Sequence, residues 1–140
     1  MGINRKRVYL GGIVGGVVWN IWSTLMNMKI GMARYTAMQN AGLFLKQPRY
    51  PGFYATWVVM LFIMAILVAH LYAWVRARLG AGPRTALKVG MTAGFFAGFP
   101  ANFATATWSP IDRIFPLGWM LEMWVGAILA TLAAGALYKE

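Results

Sequence analysis

The chain has 140 residues, 60% of them hydrophobic, with 13 lysines and arginines against 3 acidic residues and no cysteine. A soluble domain of this length cannot bury so much apolar surface, so lipid is the expected solvent for much of the chain. The missing cysteines exclude disulfides, thiolate nucleophiles and iron–sulfur clusters. The formal charge of +10 is spread over the ends of apolar stretches and does not form a face interleaved with aromatics. That placement argues against nucleic acid as a partner and for a bilayer that includes anionic lipids.

The first apolar stretch covers residues 8–28 and follows Arg5, Lys6 and Arg7. A basic start before an apolar run resembles a signal peptide, but no small-residue cleavage site follows, so a retained membrane helix is expected. It carries Gly12, Gly16 and Asn20 at four-residue spacing, which puts them on one helical face. The connection over residues 29–53 is long for a structureless loop. Met32, Tyr35, Met38 and Leu45 fall near helical spacing, which predicts a short helix over residues 31–45 lying in the outer interface. The Gln47-Pro48-Arg49-Tyr50-Pro51-Gly52 run must break it.

The second span, 54–75, contains His70 and is bracketed by Trp57 and Trp74. Gly80-Ala81-Gly82-Pro83 is a tight turn. The third span, 86–107, repeats the first stripe as Gly94, Gly98 and Asn102, with Thr105 where the first has Ser23. Pro100 lies inside it, removes one N–H and predicts a kink against Phe96. The fourth span, 117–138, sets Glu122, Gly126, Ala130 and Ala134 on one face. All four stretches reach the length of about 20 residues that a bilayer requires.

These elements predict an all-α protein: a four-helix transmembrane bundle in a single integral membrane domain, 1–140, with a short outer interfacial helix. The repeated stripe reads either as two repeated helical hairpins or as independent solutions to close helix packing. With both termini cytoplasmic, Arg5, Lys6, Arg7, Arg76, Arg78, Arg84, Lys88 and Lys139 face inward, against Lys29, Arg34, Lys46, Arg49 and Arg113 outside. The excess favours that orientation. Trp57, Trp108 and Trp119 then mark the outer head-group level.

Glycines at this spacing let helices approach backbone to backbone, and polar residues in lipid should point into the bundle. Gly12, Gly16, Gly94, Gly98 and Gly126 are therefore the expected packing positions, with the first and third spans touching. Whether the stripes pack inside one bundle or between subunits stays open. Asn20, Asn102 and Glu122, with Ser23, Thr24 and Thr105 beside them, form an expected outer polar cluster that either locks the helices or binds a ligand or proton. Glu122 is the one acidic residue within a span, and Arg113 is close enough in sequence to pair with it. His70 lies about 16 Å from Glu122 along the membrane normal at 1.5 Å per residue, so the two do not make a joint metal site. As a lone ligand, His70 can hold a chlorophyll-type pigment or haem, or bond a backbone carbonyl.

The segments Val8-Tyr9-Leu10-Gly11-Gly12, Leu71-Tyr72-Ala73 running into Arg76, Gly80-Ala81-Gly82-Pro83-Arg84-Thr85-Ala86 and Leu137-Tyr138-Lys139-Glu140 together span nearly the whole chain. In them it resembles an uncharacterised family of small bacterial four-helix membrane proteins. The resemblance implies a bacterial inner-membrane location and carries no catalytic residues with it. No enzyme is expected. Three functions remain: a structural or accessory subunit of a larger membrane assembly or homo-oligomer, a small-molecule or lipid-binding protein or transporter using the polar cluster, and a pigment- or haem-binding subunit through His70.

Overall fold

Asn4 starts the first helix by accepting the Arg7 N–H on its side chain at 3.3 Å, which satisfies one of the unpaired donors of the first turn. The helix it opens, α1, runs Arg5–Ile30 and ends at Gly31, whose φ of 87° is costly for any residue with a Cβ. In the computed structural model, which describes residues 2–139, four more helices follow: α2 (Met32–Asn40), α3 (Phe53–Leu79), α4 (Pro83–Trp108) and α5 (Ile114–Leu137). The all-α expectation holds. The short second helix is shorter than its predicted 31–45, because the chain turns at Gly42 and the Leu43 and Phe44 N–H groups fold back onto the Met38 carbonyl. Helix α4 continues unbroken through Pro100.

Three helices, α1, α3 and α5, are long and apolar enough to cross a membrane. Helix α4 is equally long, at 26 residues, but its glycine, alanine and threonine content makes it less apolar.

Helix α5 is the centre of the bundle: from Gly118 to Gly135 none of its residues is exposed. Its small residues admit neighbours on two sides. Antiparallel α1 packs along one side in a four-residue ladder of Gly11 on Ala134, Gly15 on Ala130, Trp19 on Gly126, and Ser23 on Glu122. Antiparallel α4 packs along another, with Gly90 on Ile128, Gly94 on Trp124 and Gly98 on Met120. Helix α3 closes the bundle against α1, where Gly12 meets Ile66 and Gly16 meets Phe62. It also touches α5 and α4.

The two glycine stripes therefore do not face each other. Helices α1 and α4, the first and third spans, make no contact, contrary to the sequence expectation. The reason is that α5 is wedged between them: its own alanines and glycine admit α1, and the glycines of α4 admit the backbone of α5 on the other flank. Gly12, Gly16, Gly94, Gly98 and Gly126 all serve packing inside the bundle.

One end of the bundle gathers both chain ends and the α3–α4 turn. The Asn4 backbone N–H donates to the Tyr138 hydroxyl at 3.1 Å and the Asn4 side-chain amide to the Lys139 carbonyl at 3.2 Å. The Gly82 N–H donates to the Tyr72 hydroxyl at 3.1 Å, and the Arg76 guanidinium lies 4.6 Å above the Tyr138 ring centre. At the opposite end sit α2 and Phe44, against Phe115 and Trp119 of α5.

Candidate functional site at a buried carboxyl

Close approach of α1 to α5 builds the site. With Gly11 and Gly15 pressed on Ala134 and Ala130, the next positions of the ladder bring Trp19 and Ser23 against Gly126 and Glu122. Gly126 is needed there, since a Cβ would fall inside the Trp19 indole. Glu122 is 2% exposed. Its Oε1 accepts the Ser23 hydroxyl from α1 and the Trp57 indole N–H from α3, the latter at 3.1 Å. Its backbone carbonyl also accepts the Trp19 N–H at 3.1 Å, and the Leu121 carbonyl accepts the Trp22 N–H at 3.1 Å. Three helices thus meet on one side chain and its adjoining peptide groups.

All the side-chain donors are neutral. Among the described residues no hydrogen bond reaches Oε2 and no cation pairs with the carboxyl, Arg113 included. A buried carboxyl whose hydrogen-bond donors are all neutral is a costly group to place in an apolar bundle.

A roof covers this end. Asn27, one turn beyond Ser23, donates to the Ser23 carbonyl at 2.9 Å and accepts the Tyr35 hydroxyl proton at 2.9 Å. The Tyr35 ring stands edge-on to Phe115 at 4.9 Å, and Phe44 stands edge-on to Phe115 at 5.0 Å. Burial raises the Tyr35 phenol above the ordinary tyrosine value; the Trp119 side chain opposes the rise, and the charges of Glu122 and Tyr54 add to it.

Of the expected cluster, the structure joins Ser23 to Glu122. Asn20 and Asn102 sit on α1 and α4, which do not touch, and each donates instead to its own helix: Asn20 to the Gly16 carbonyl at 2.9 Å, Asn102 to the Gly98 carbonyl at 2.7 Å. Thr24 and Thr105 likewise bond the Asn20 and Ala101 carbonyls four residues back, each at 2.9 Å. Asn20 and Thr24 line a shallow apolar groove of about 400 Å³ between α1 and α3, with Val58 and Phe62 on its other wall. His70 lies on α3, its Nδ1 2.8 Å from the Ile66 carbonyl oxygen.

Two residues of the site were not visible as such in the sequence. Trp57 reads as a head-group tryptophan, yet its N–H is a carboxyl donor. Trp19 belongs to the stripe Gly11, Gly15, Trp19, Ser23, one position away from the more obvious Gly12, Gly16, Asn20. The available signal was complementarity: a bulky residue in that series falls opposite the glycine of the Glu122, Gly126, Ala130, Ala134 face when the helices run antiparallel.

Among the described residues, no group of three or more histidine, cysteine or acidic side chains is placed to hold a metal ion. No family model, curated protein or solved structure matches the chain.

Proposed function

We propose that the chain is a multi-pass membrane protein with four spans, α1, α3, α4 and α5, in a bacterial inner membrane. On this reading both termini and the Gly80–Pro83 turn are cytoplasmic, and α2 lies at the outer surface. The chain serves as a structural or accessory subunit of a larger membrane assembly, and it is not an enzyme. It stands with the small bacterial four-helix membrane proteins it resembles. The basic residues near the shared end of the termini and the α3–α4 turn support the orientation.

The observation that carries the subunit reading is the state of α4. It is the one long helix without a stretch as apolar as those of α1, α3 and α5, and it is packed over only part of its length. Beyond Gly98 none of residues 99–108 is buried, although Asn102, Thr105 and Thr107 lie there. Phe96, Phe103 and Trp108 are 73%, 63% and 88% exposed. Asn102, Thr105 and Thr107 bond carbonyls of their own helix, so what the outer third of α4 leaves open is a face of aromatic and small side chains that a covering helix from a partner would bury. The interior supports the same reading, because its glycines and its carboxyl are engaged in holding helices together.

The cysteine-free sequence makes the test direct. Single-cysteine variants Ala101→Cys and Thr107→Cys on α4, and Leu67→Cys on the exposed face of α3, are treated with a thiol cross-linker in native membranes. The α4 variants are expected to form heavier adducts and the Leu67 variant none, with the wild-type protein leaving mild detergent in a complex. Monomer mass in mild detergent, together with no α4-specific adduct, overturns the subunit reading.

A second reading, a ligand or proton site in the outer half of the bundle, is favoured by the free Oε2 of Glu122. It predicts that a small molecule or lipid copurifies with the wild type and is lost in Glu122→Gln. Identical small-molecule content in the two proteins would sink it.

A further inference from the structure

His70 is the chain's one histidine and has no part in the Glu122 network. Its Nδ1 is 2.8 Å from the Ile66 carbonyl oxygen, four residues back on α3. A carbonyl only accepts, so Nδ1 carries the proton, and in the neutral ring the lone pair is on Nε2. Metal-bound histidines take this arrangement, with the second ring nitrogen donating to a backbone carbonyl that orients the ring. Tyr9 from α1 stands edge-on to the imidazole, with ring centres 5.4 Å apart, and Trp74 lies one turn along at 6.1 Å. Two rings on different helices thus limit the swing of the imidazole.

The surroundings decide which metal. Among the described residues no cluster of three histidine, cysteine or acidic groups exists, so a bare ion, which needs about four protein ligands, has no site here. An ion that arrives with its own equatorial ligands needs only one axial donor. Beside His70 the bundle presents an apolar shelf: Tyr9, Trp74 and, one turn back on α3, Leu67 are 50%, 57% and 57% exposed. A broad, flat, apolar macrocycle matches that shelf as well as it matches the single donor. With no cysteine in the chain, it would be held without thioether bonds.

We propose that His70 Nε2 is the axial ligand of a metallo-tetrapyrrole of the haem type, lying against the α1–α3 face of the bundle. This inference is independent of the subunit reading. Cross-linking of α4 tests one and optical spectra test the other.

The test uses the purified full chain in detergent micelles, titrated with hemin and, separately, with metal-free protoporphyrin IX. Hemin is expected to bind saturably, with a Soret shift absent from protein-free micelles. His70→Ala should raise the apparent Kd at least about tenfold, since disturbing even the outer partners of a metal ligand costs about 10–100-fold. Added imidazole should restore the spectrum. Metal-free protoporphyrin should bind wild type far more weakly than hemin does. The proposal is overturned if hemin gives the same titration with wild type and His70→Ala. It is equally overturned if wild type shows only the micelle spectrum, or if it takes up the metal-free ring as tightly as hemin, a comparison that needs no variant to fold.

Discussion

Helix α5 meets α1 and α4 through the same device, a small residue every fourth position, and the two seams end differently. The α1–α5 seam starts with Gly11 and Gly15 and continues into Trp19 and Ser23, so that a backbone contact becomes a polar one at Glu122. The α4–α5 seam uses Gly90, Gly94 and Gly98 and then stops, since Asn102 turns its amide back to Gly98. The comparison separates two roles of small residues in a membrane bundle. They bring helices close, and they also create a shared hydrogen-bonded site only where the facing helix sets a polar side chain opposite, as α5 does with Glu122. Helix α1 can do both because it carries two adjacent stripes, one for α3 and one for α5.

The largest effect should come from forcing a seam apart where the Trp124 backbone and the Ala127 Cβ, neither of which can rotate away, lie opposite. A Cβ at Gly94 would sit 2.6 Å from the Trp124 carbonyl oxygen and 2.9 Å from its Cα. Gly94→Leu is expected to cost about 3 kcal/mol, the upper end of overpacking losses. At Gly16 the obstacle is the Phe62 ring, which can rotate away, so Gly16→Leu should cost about 1–2 kcal/mol. Thermal unfolding in detergent ranks the two; the opposite order would mean that the α4–α5 seam is the softer one.

Next is the polar end of the α1–α5 seam. Glu122→Leu leaves the Ser23 hydroxyl and the Trp57 N–H without their acceptor, at about 1–3 kcal/mol for each donor that stays buried. Glu122→Gln keeps an acceptor oxygen and should lose less. Asn102→Leu breaks only a bond within α4 and should stay below about 1 kcal/mol. If the asparagine variant proves as damaging as the glutamate one, the two seams are not as different as the hydrogen bonds make them.

A smaller contrast concerns one tryptophan on each seam. Trp19 donates its N–H to the Glu122 carbonyl, whereas the Trp124 N–H is buried without a partner among the described residues. Trp19→Phe should therefore lose about 1 kcal/mol more than Trp124→Phe, because removing an unpaired buried donor offsets part of the lost contact area. Unfolding of the two variants side by side measures this. Equal losses would show that the Trp124 N–H finds a partner.

Much of this was legible in the residue pattern. The four long helices follow from the long apolar stretches, and the Gly80–Pro83 turn separates two of them as local chemistry requires. The packing role of the glycines is likewise readable from their spacing. Their partners are not, since spacing defines a face of one helix but not the helix that will fill it. Gly12 and Gly94 matched each other in sequence, yet they met different helices, Gly12 at Ile66 of α3 and Gly94 at the Trp124 backbone of α5. Trp57 was misread because tryptophan at a span end suits the head-group level and an inward N–H equally well; only the position of Glu122 across the bundle distinguishes them. Asn20 and Asn102 had a local option, the carbonyl four residues back, that spares them any partner across the bundle.

A last contrast lies at the roof over the α1–α5 seam, which the α4–α5 seam lacks. Burial raises the folded-state value of Tyr35, an acid that is neutral below its pKa, above the unfolded value of about 10. Its contribution is therefore complete below the unfolded value and is lost as pH rises through the folded one, when the phenolate would have to stay beside Asn27 and near Glu122. Tyr35→Phe removes the hydroxyl bond, at about 0.5–1.5 kcal/mol at neutral pH, and should flatten the decline in stability above about pH 10. Melting curves of both proteins from neutral to strongly alkaline pH, with the phenolate absorbance difference between them, follow the group directly. A parallel decline in the two would place the alkaline sensitivity elsewhere in the bundle and leave the roof as a packing contact alone.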